Sequence, residues 1–333
     1  MTARLPTPRP APKVPTPPST PSIGLALGGG GARGLAHIVI FEAFDEMGLK
    51  PKVISGTSIG AIFGAAYASG LSAKNIRAHT EELLSQRFSL LRDLFAARAQ
   101  PMQRLLNLFS APSALLNPDT LLDLIMPKGS KRNFEDLEIP LQIVASDFYL
   151  QEQAVFSEGA LFPAVAASMA LPAVFEPVVI NGRAHVDGGL TNPLPYDILQ
   201  GQADIIIAID VSGAPVPNPK RDYPTAMESL FAAAFLFERT IVREKLKSSQ
   251  PDILINAGTS QFQVLDILKY KDILAAAEPA KDRLKFQIER VLSVETLATL
   301  DRSTPTQAVL EAPVPAKTKP RRGLLKRGGK PKS

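Results

Sequence analysis

The chain has 333 residues, 45% of them hydrophobic, enough for one large domain or two with a sizeable buried core. It has no cysteine and only three histidines, His37, His79 and His185, which excludes disulfides and thiolate metal sites and argues against a histidine-rich metal centre. The net charge of +5 belongs to the ends: residues 1–22 and 312–333 carry eleven basic residues and no acid, which leaves residues 23–311 at −6.

Residues 1–22 hold eight prolines, a composition that favours extended polyproline conformations and cannot form a packed core. We read 1–21 and 306–333 as disordered basic tails around one folded domain, 22–305. "SIGLALGG" is a short apolar run and reads as a buried strand; residues 34–48 read as a helix ending at Gly48. "KVIS" (52–55) is a second strand, followed by a helix from Ile59 to Ser69 and another behind Ser72 as N-cap. Residues 88–118 have no counterpart in the alternation and read as an inserted helical cap. "LQIVASDF" (141–148) and "ADIIIAIDV" (203–211) are β-branched runs of the central-strand kind, and Asn181-Gly182 is a hairpin turn. Residues 225–247 form a long amphipathic helix with Leu230, Ala234, Phe237 and Ile241 on one apolar stripe. "PDILINA" adds a last strand, and 263–298 is mostly helical. Strands alternating with helices give an α/β, three-layer α/β/α fold on a mainly parallel sheet.

Two glycine motifs sit where strands run into helices. "GGGARG" (29–34) contains Gly29-x-Gly31-x-x-Gly34, the pattern of a dinucleotide loop. That reading needs an acid at the end of the second strand, and "VISG" has none. The strand runs instead into Gly56-Thr57-Ser58-Ile59-Gly60, a G-x-S-x-G nucleophile elbow that lifts a serine hydroxyl clear of the sheet. With the elbow beside it, the glycine loop is read as a source of N–H donors for an oxyanion, those around Gly29–Gly31 pointing at Ser58.

The serine needs a proton acceptor. His37, among Leu35, Ile38 and Val39, reads as a packed or loop-bonded histidine, and His79 reads as lying on a solvated helix face. His185 is a candidate, since Ser58, Asp147 and His185 follow the chain order of an α/β-hydrolase triad. Asp187 is the other: ahead of Gly188 and Gly189 it can approach a backbone-lined site and accept the serine proton directly. It can equally do no more than cap a turn.

"GGGARG", "GTSIG" (56–60) and "DGG" (187–189), in this order and with "ASMALPAVFEPVVINGRAHVDGGLTNPLPYDI", resemble the patatin-like phospholipase family. The resemblance covers roughly residues 22–212. It implies a Ser–Asp dyad without histidine, with Ser58 as nucleophile, Asp187 as base and Gly29, Gly30 and Gly31 lining the oxyanion hole. Arg33 stands beside that hole, or fixes the loop through an ion pair. Gly34, Gly56, Gly60, Gly188 and Gly189 complete the three motifs.

The expected activity is calcium-independent hydrolysis of acyl esters, of the phospholipase A or lysophospholipase type, with no cofactor and no metal. Phospholipid or lysophospholipid is the expected substrate, and no nucleic acid is expected. The competing readings are an esterase using the Ser58–Asp147–His185 triad and a non-catalytic lipid-binding or regulatory protein with a vestigial site. No apolar run reaches the roughly 18–20 residues of a membrane span, and the N-terminus has no apolar signal core. The expected location is cytoplasmic, with peripheral contact at an anionic membrane through the basic, apolar stretch 87–104 or the tail 317–332.

Overall fold

The computed structural model of the chain describes residues 21–86, 117–214 and 222–293. Both expected tails apart from Pro21, the end of the expected domain beyond 293, and the expected cap apart from Asn117 and Pro118 lie outside the described residues.

The strands are β1 (Ile23–Leu27), β2 (Val53–Thr57), β3 (Leu141–Asp147), β4 (Glu152–Phe156), β5 (Val178–Ile180), β6 (Arg183–Asp187), β7 (Ile205–Asp210) and β8 (Ile253–Asn256). The hydrogen-bonded order is β5-β6-β3-β2-β1-β7-β8, with β4 pairing β3 off that path. β3-β2-β1-β7-β8 is parallel throughout, while β4, β5 and β6 join antiparallel. The helices are α1 (Ala36–Met47), α2 (Ile59–Ala68), α3 (Ala73–Gln86), α4 (Pro118–Ile125), α5 (Leu161–Ser168), α6 (Ala226–Ser248) and α7 (Tyr270–Leu292). A short 3-10 helix, Gly31–Leu35, leads into α1. Within the described residues, the strands and helices expected from the sequence appear in the expected order.

Side-chain alternation along the buried strands builds two cores. Ile23, Leu25 and Leu27 of β1 and Ile205, Ile207 and Ile209 of β7 face the larger one, which α1, α2 and α7 cover. Ala26, Ile206 and Ala208 face the other way, under Leu194, Tyr196, Leu199 and Val242 of α6. Helices on both faces of the sheet make the layering three-deep.

The expected apolar stripe of α6 is not the one it buries. Leu230 is 52% exposed and Phe237 65%, whereas Phe231, Glu238 and Val242 are buried. The buried stripe follows 3–4 spacing one residue along, through Phe231, Phe235, Glu238 and Val242. A purely hydrophobic count passes over it because one of its members is a carboxylate. Among the described residues, no helix is long and apolar enough to cross a membrane.

Register explains how two motifs 129 residues apart meet. β4 pairs β3 continuously from Ile143 to Asp147, so it occupies one edge of β3. The other edge is shared: β2 pairs through Val144, opposite Thr57, and β6 takes over at Ala145, opposite Asp187. The residue after Thr57 is therefore brought up against the last residue of β6.

Candidate active site

Ser58 joins β2 to α2 with φ 55° and ψ −121°. A non-glycine residue held at positive φ costs on the order of 1–3 kcal/mol and persists only where its surroundings fix it. Here the Ser58 carbonyl accepts from the N–H groups of Ala61 (2.9 Å) and Ile62 (3.2 Å) as α2 begins. The Ser58 N–H donates to Ser168 Oγ at 2.8 Å, and that hydroxyl donates to Val144 O at 2.6 Å. Ser168 is fully buried at the end of α5. It lies within the block "ASMALPAVFEPVV…", but nothing in the sequence assigned it a role, since it stands in an Ala-rich helix as one small residue among others.

Ser58 Oγ donates to Asp187 Oδ2 at 2.6 Å. The other oxygen, Oδ1, accepts from the Gly189 N–H at 2.8 Å, and the Asp187 N–H donates to Ala170 O at 3.0 Å. Burial pushes the Asp187 carboxyl up to about 6, against the pull of the Ser58 and Gly189 donors. Its titration thereby lies near neutrality, well above that of an ordinary carboxyl.

The glycines allow chains to cross at close range. A Cβ on Gly60 would run into the Leu27 carbonyl oxygen, and one on Gly188 into that of Val144. Gly56 lies against the backbone of Gly60 and Ala61, and Gly34 against the Ile59 side chain.

Gly29, Gly30 and Gly31 line one cavity with Ser58 and Asp187. Gly29 is not available there as a donor: its N–H is bonded to Pro193 O at 2.9 Å, which anchors the loop to the segment after "DGG". The N–H groups of Gly30 and Gly31 have no hydrogen-bond partner among the described residues. Arg33 is 3% exposed and does not line the cavity. Its Nε donates to Gly30 O at 3.1 Å and its guanidinium lies 5.5 Å from the Phe235 ring centre, so it braces the loop from behind.

The three histidines take other posts. His37 is fully buried and bonds Gly28 O through Nε2 at 2.9 Å, as a loop-bonded histidine should. Burial lowers its pKa to about 4, so it is neutral near pH 7. His79 is not on a solvated face: it is half-buried, lines the cavity and bonds Ile125 O through Nε2 at 3.0 Å. His185 lines a separate, smaller cavity, edge-on to Phe156 and 3.9 Å from Asp147. Asp147 is occupied by the Leu150 N–H, by Arg183 Nε at 2.6 Å and by the Tyr149 N–H, which together hold its carboxyl below the usual range despite burial. Ser58, Asp147 and His185 are not assembled into a triad.

The cavity holds about 490 Å³, within the range of small-molecule sites. Its walls are apolar: Leu35, Ile62, Phe63 and Ala66 on one side, Leu171, Val174 and Phe175 on another. Among the described residues, apart from Ser58, Asp187, Thr80 and His79, the polar side chain on it is Glu238 of α6. Glu238 is 7% exposed, and burial, together with Asp187, pushes its carboxyl up to about 8 despite the attraction of Arg33. The signal that could have found it is the acid inside the Phe231–Phe235–Val242 stripe.

A family model described as "Patatin-like phospholipase" matches residues 25–199. An uncharacterized NTE family protein of Mycobacterium tuberculosis (strain ATCC 25618 / H37Rv) is 35% identical over 205 residues, 61% of this chain and 52% of the relative. Patatin-like phospholipase domain-containing protein 6 of Homo sapiens is 31% identical over 221 residues, 66% of this chain and 15% of that protein. The match thus spans about half the length of the mycobacterial relative and a small part of the human one. The crystal structure of VipD from Legionella pneumophila aligns with a TM-score of 0.44 at 15% identity, covering 81% of this chain and 67% of that one. A family model that takes in more than half of the residues identifies the chain as a member of the patatin-like phospholipase family.

Proposed function

We propose that the protein is a serine hydrolase of lipid acyl esters, of the phospholipase A or lysophospholipase type. The observation that carries this is the 2.6 Å hydrogen bond from Ser58 Oγ to a buried Asp187 at the edge of an apolar cavity. Ser58 is the nucleophile and Asp187 the base. As Oγ attacks the acyl carbonyl carbon, its proton passes to Asp187 Oδ2, and the carbonyl oxygen becomes an oxyanion that accepts N–H bonds from Gly30 and Gly31. When the tetrahedral species collapses, Asp187 returns the proton to the leaving alcohol oxygen and leaves an acyl-serine. Water then attacks the acyl carbon and gives a proton to Asp187; the acyl–Oγ bond breaks, the fatty acid leaves, and Asp187 returns the proton to Ser58 Oγ. Asp187 relays each proton, from Ser58 and then from water, and the glycine loop binds the oxyanion, so the sequence is complete without calcium or a cofactor. The apolar walls suit an acyl chain.

A long-chain fluorophosphonate probe tests the reading. It is expected to label the protein and to fail on Ser58→Ala. Labelling that survives that substitution, or no labelling of the folded wild type, contradicts it and favours a lipid-binding protein.

A further inference from the structure

Among the described residues, Asp187 is one of two carboxyls in the cavity wall. A Cβ placed on Gly189 would lie 2.8 Å from Glu238 Oε1 and 3.1 Å from Asp187 Oδ1, so the two side chains flank one glycine. Both are buried and both line the space that we assign to the acyl chain. Asp187 has two donors to its oxygens, Ser58 Oγ and the Gly189 N–H. Glu238 comes from α6, outside the stretch that the family model matches.

We propose that Glu238 is a positioning carboxyl that holds a proton so that Asp187 can hold the charge, and that an uncharged acyl chain enters the cavity only in this state. The inference rests on the cavity being the acyl site. Two like charges taken out of water around one glycine cannot both be stable. The donors around Asp187 select it as the ionised member, and Glu238 keeps the proton. The other charged groups facing Glu238 are few among the described residues. Arg33, behind the glycine loop, favours the Glu238 anion, but Asp210 also acts on that guanidinium and Arg239 opposes it. His79 stands on the cavity wall and bonds the Ile125 carbonyl.

The consequence lies in substrate capture. In the free protein, water in the cavity solvates an ionised Glu238. An entering acyl chain displaces that water, so binding to the doubly ionised site must be accompanied by uptake of a proton. Capture therefore weakens as pH rises past the point where Glu238 ionises, while the bound complex keeps its proton to higher pH.

Two measurements test this. On a soluble uncharged ester, kcat/KM of the wild type is expected to fall above about pH 8 and kcat to fall only at higher pH. Glu238→Gln, checked for folding by thermal melting, is expected to lose the alkaline fall in kcat/KM. The second uses Ser58→Ala protein and octanamide, with calorimetry at about pH 8.5 in buffers of different ionisation enthalpy; roughly half to one proton is expected to be taken up per amide bound. The same uptake with Glu238→Gln added, no uptake at all, or an alkaline fall that persists in Glu238→Gln overturns the proposal. Because the calorimetry reads binding of the amide and not turnover, the proton count stands apart from whether Ser58 is the nucleophile.

Discussion

Asp187 is ionised against the preference of its surroundings. Its folded value of about 6 lies above the ordinary 3.8, so between those values the folded chain binds more protons than the unfolded one. Stability from this group is therefore present in full below pH 3.8 and is lost as pH rises through about 6, by roughly 3 kcal/mol. Glu238 continues the same trend up to about 8. Asp187→Asn removes the first contribution and gives up a hydrogen bond worth about 1 kcal/mol. Its melting temperature relative to wild type is expected to rise by roughly 5–10 °C between acidic and mildly alkaline pH. A difference that stays flat with pH contradicts the buried-anion description. Ser58 and Asp187 were legible in the sequence because a nucleophile elbow and an acid before two glycines are local patterns. Glu238 and Ser168 were not, because their roles arise only when α6 and α5 pack against residues far away in the chain.

Among the elements, α6 shows how far periodicity carries. Its limits were readable, and Thr225 with Glu228 closes its N-terminus in a capping box. Which of its faces turns inward was not, since two overlapping stripes carry apolar residues and packing selects the one with the acid. The buried side ends in Lys245, whose ammonium donates to Leu194 O at 2.7 Å and Asp197 Oδ1 at 2.6 Å and lies 4.7 Å from the Tyr196 ring centre. This clamp fixes the segment just after "DGG" and supplies Pro193 O to the glycine loop. Lys245→Ala takes the ammonium from the Asn192 side-chain oxygen, leaves Asp197 to the Asn192 amide and Leu194 O to the Tyr196 N–H, and is expected to cost on the order of 2 kcal/mol. Urea unfolding of the variant checks this; a midpoint equal to that of wild type would show that the clamp adds nothing.

At the scale of the whole molecule, the parallel sheet collects the glycine loop and the elbow at the carboxyl ends of β1 and β2, and the shared edge of β3 brings in Asp187. The parallel order was legible from the strand and helix alternation. The switch of partners along β3 was not, because β6 is a short antiparallel strand whose register depends on where β2 ends. On the proposed reading, the acyl chain lies in the cavity beside this junction. Ala66→Phe is expected to narrow it and to lower kcat/KM for an octanoate ester relative to an acetate ester by about tenfold or more. An unchanged ratio in a folded variant places the acyl chain elsewhere.

The measurement closest to the centre compares Asp187→Asn and His185→Ala on one soluble ester, with folding verified for both. Direct proton transfer from Ser58 to Asp187 predicts that Asp187→Asn loses turnover almost as completely as Ser58→Ala, because the two groups act as a unit. His185, on its own cavity beside Asp147, is expected to be replaceable with turnover within a few-fold of wild type. Loss of activity in His185→Ala with activity kept in Asp187→Asn would contradict the dyad and restore an imidazole as the base.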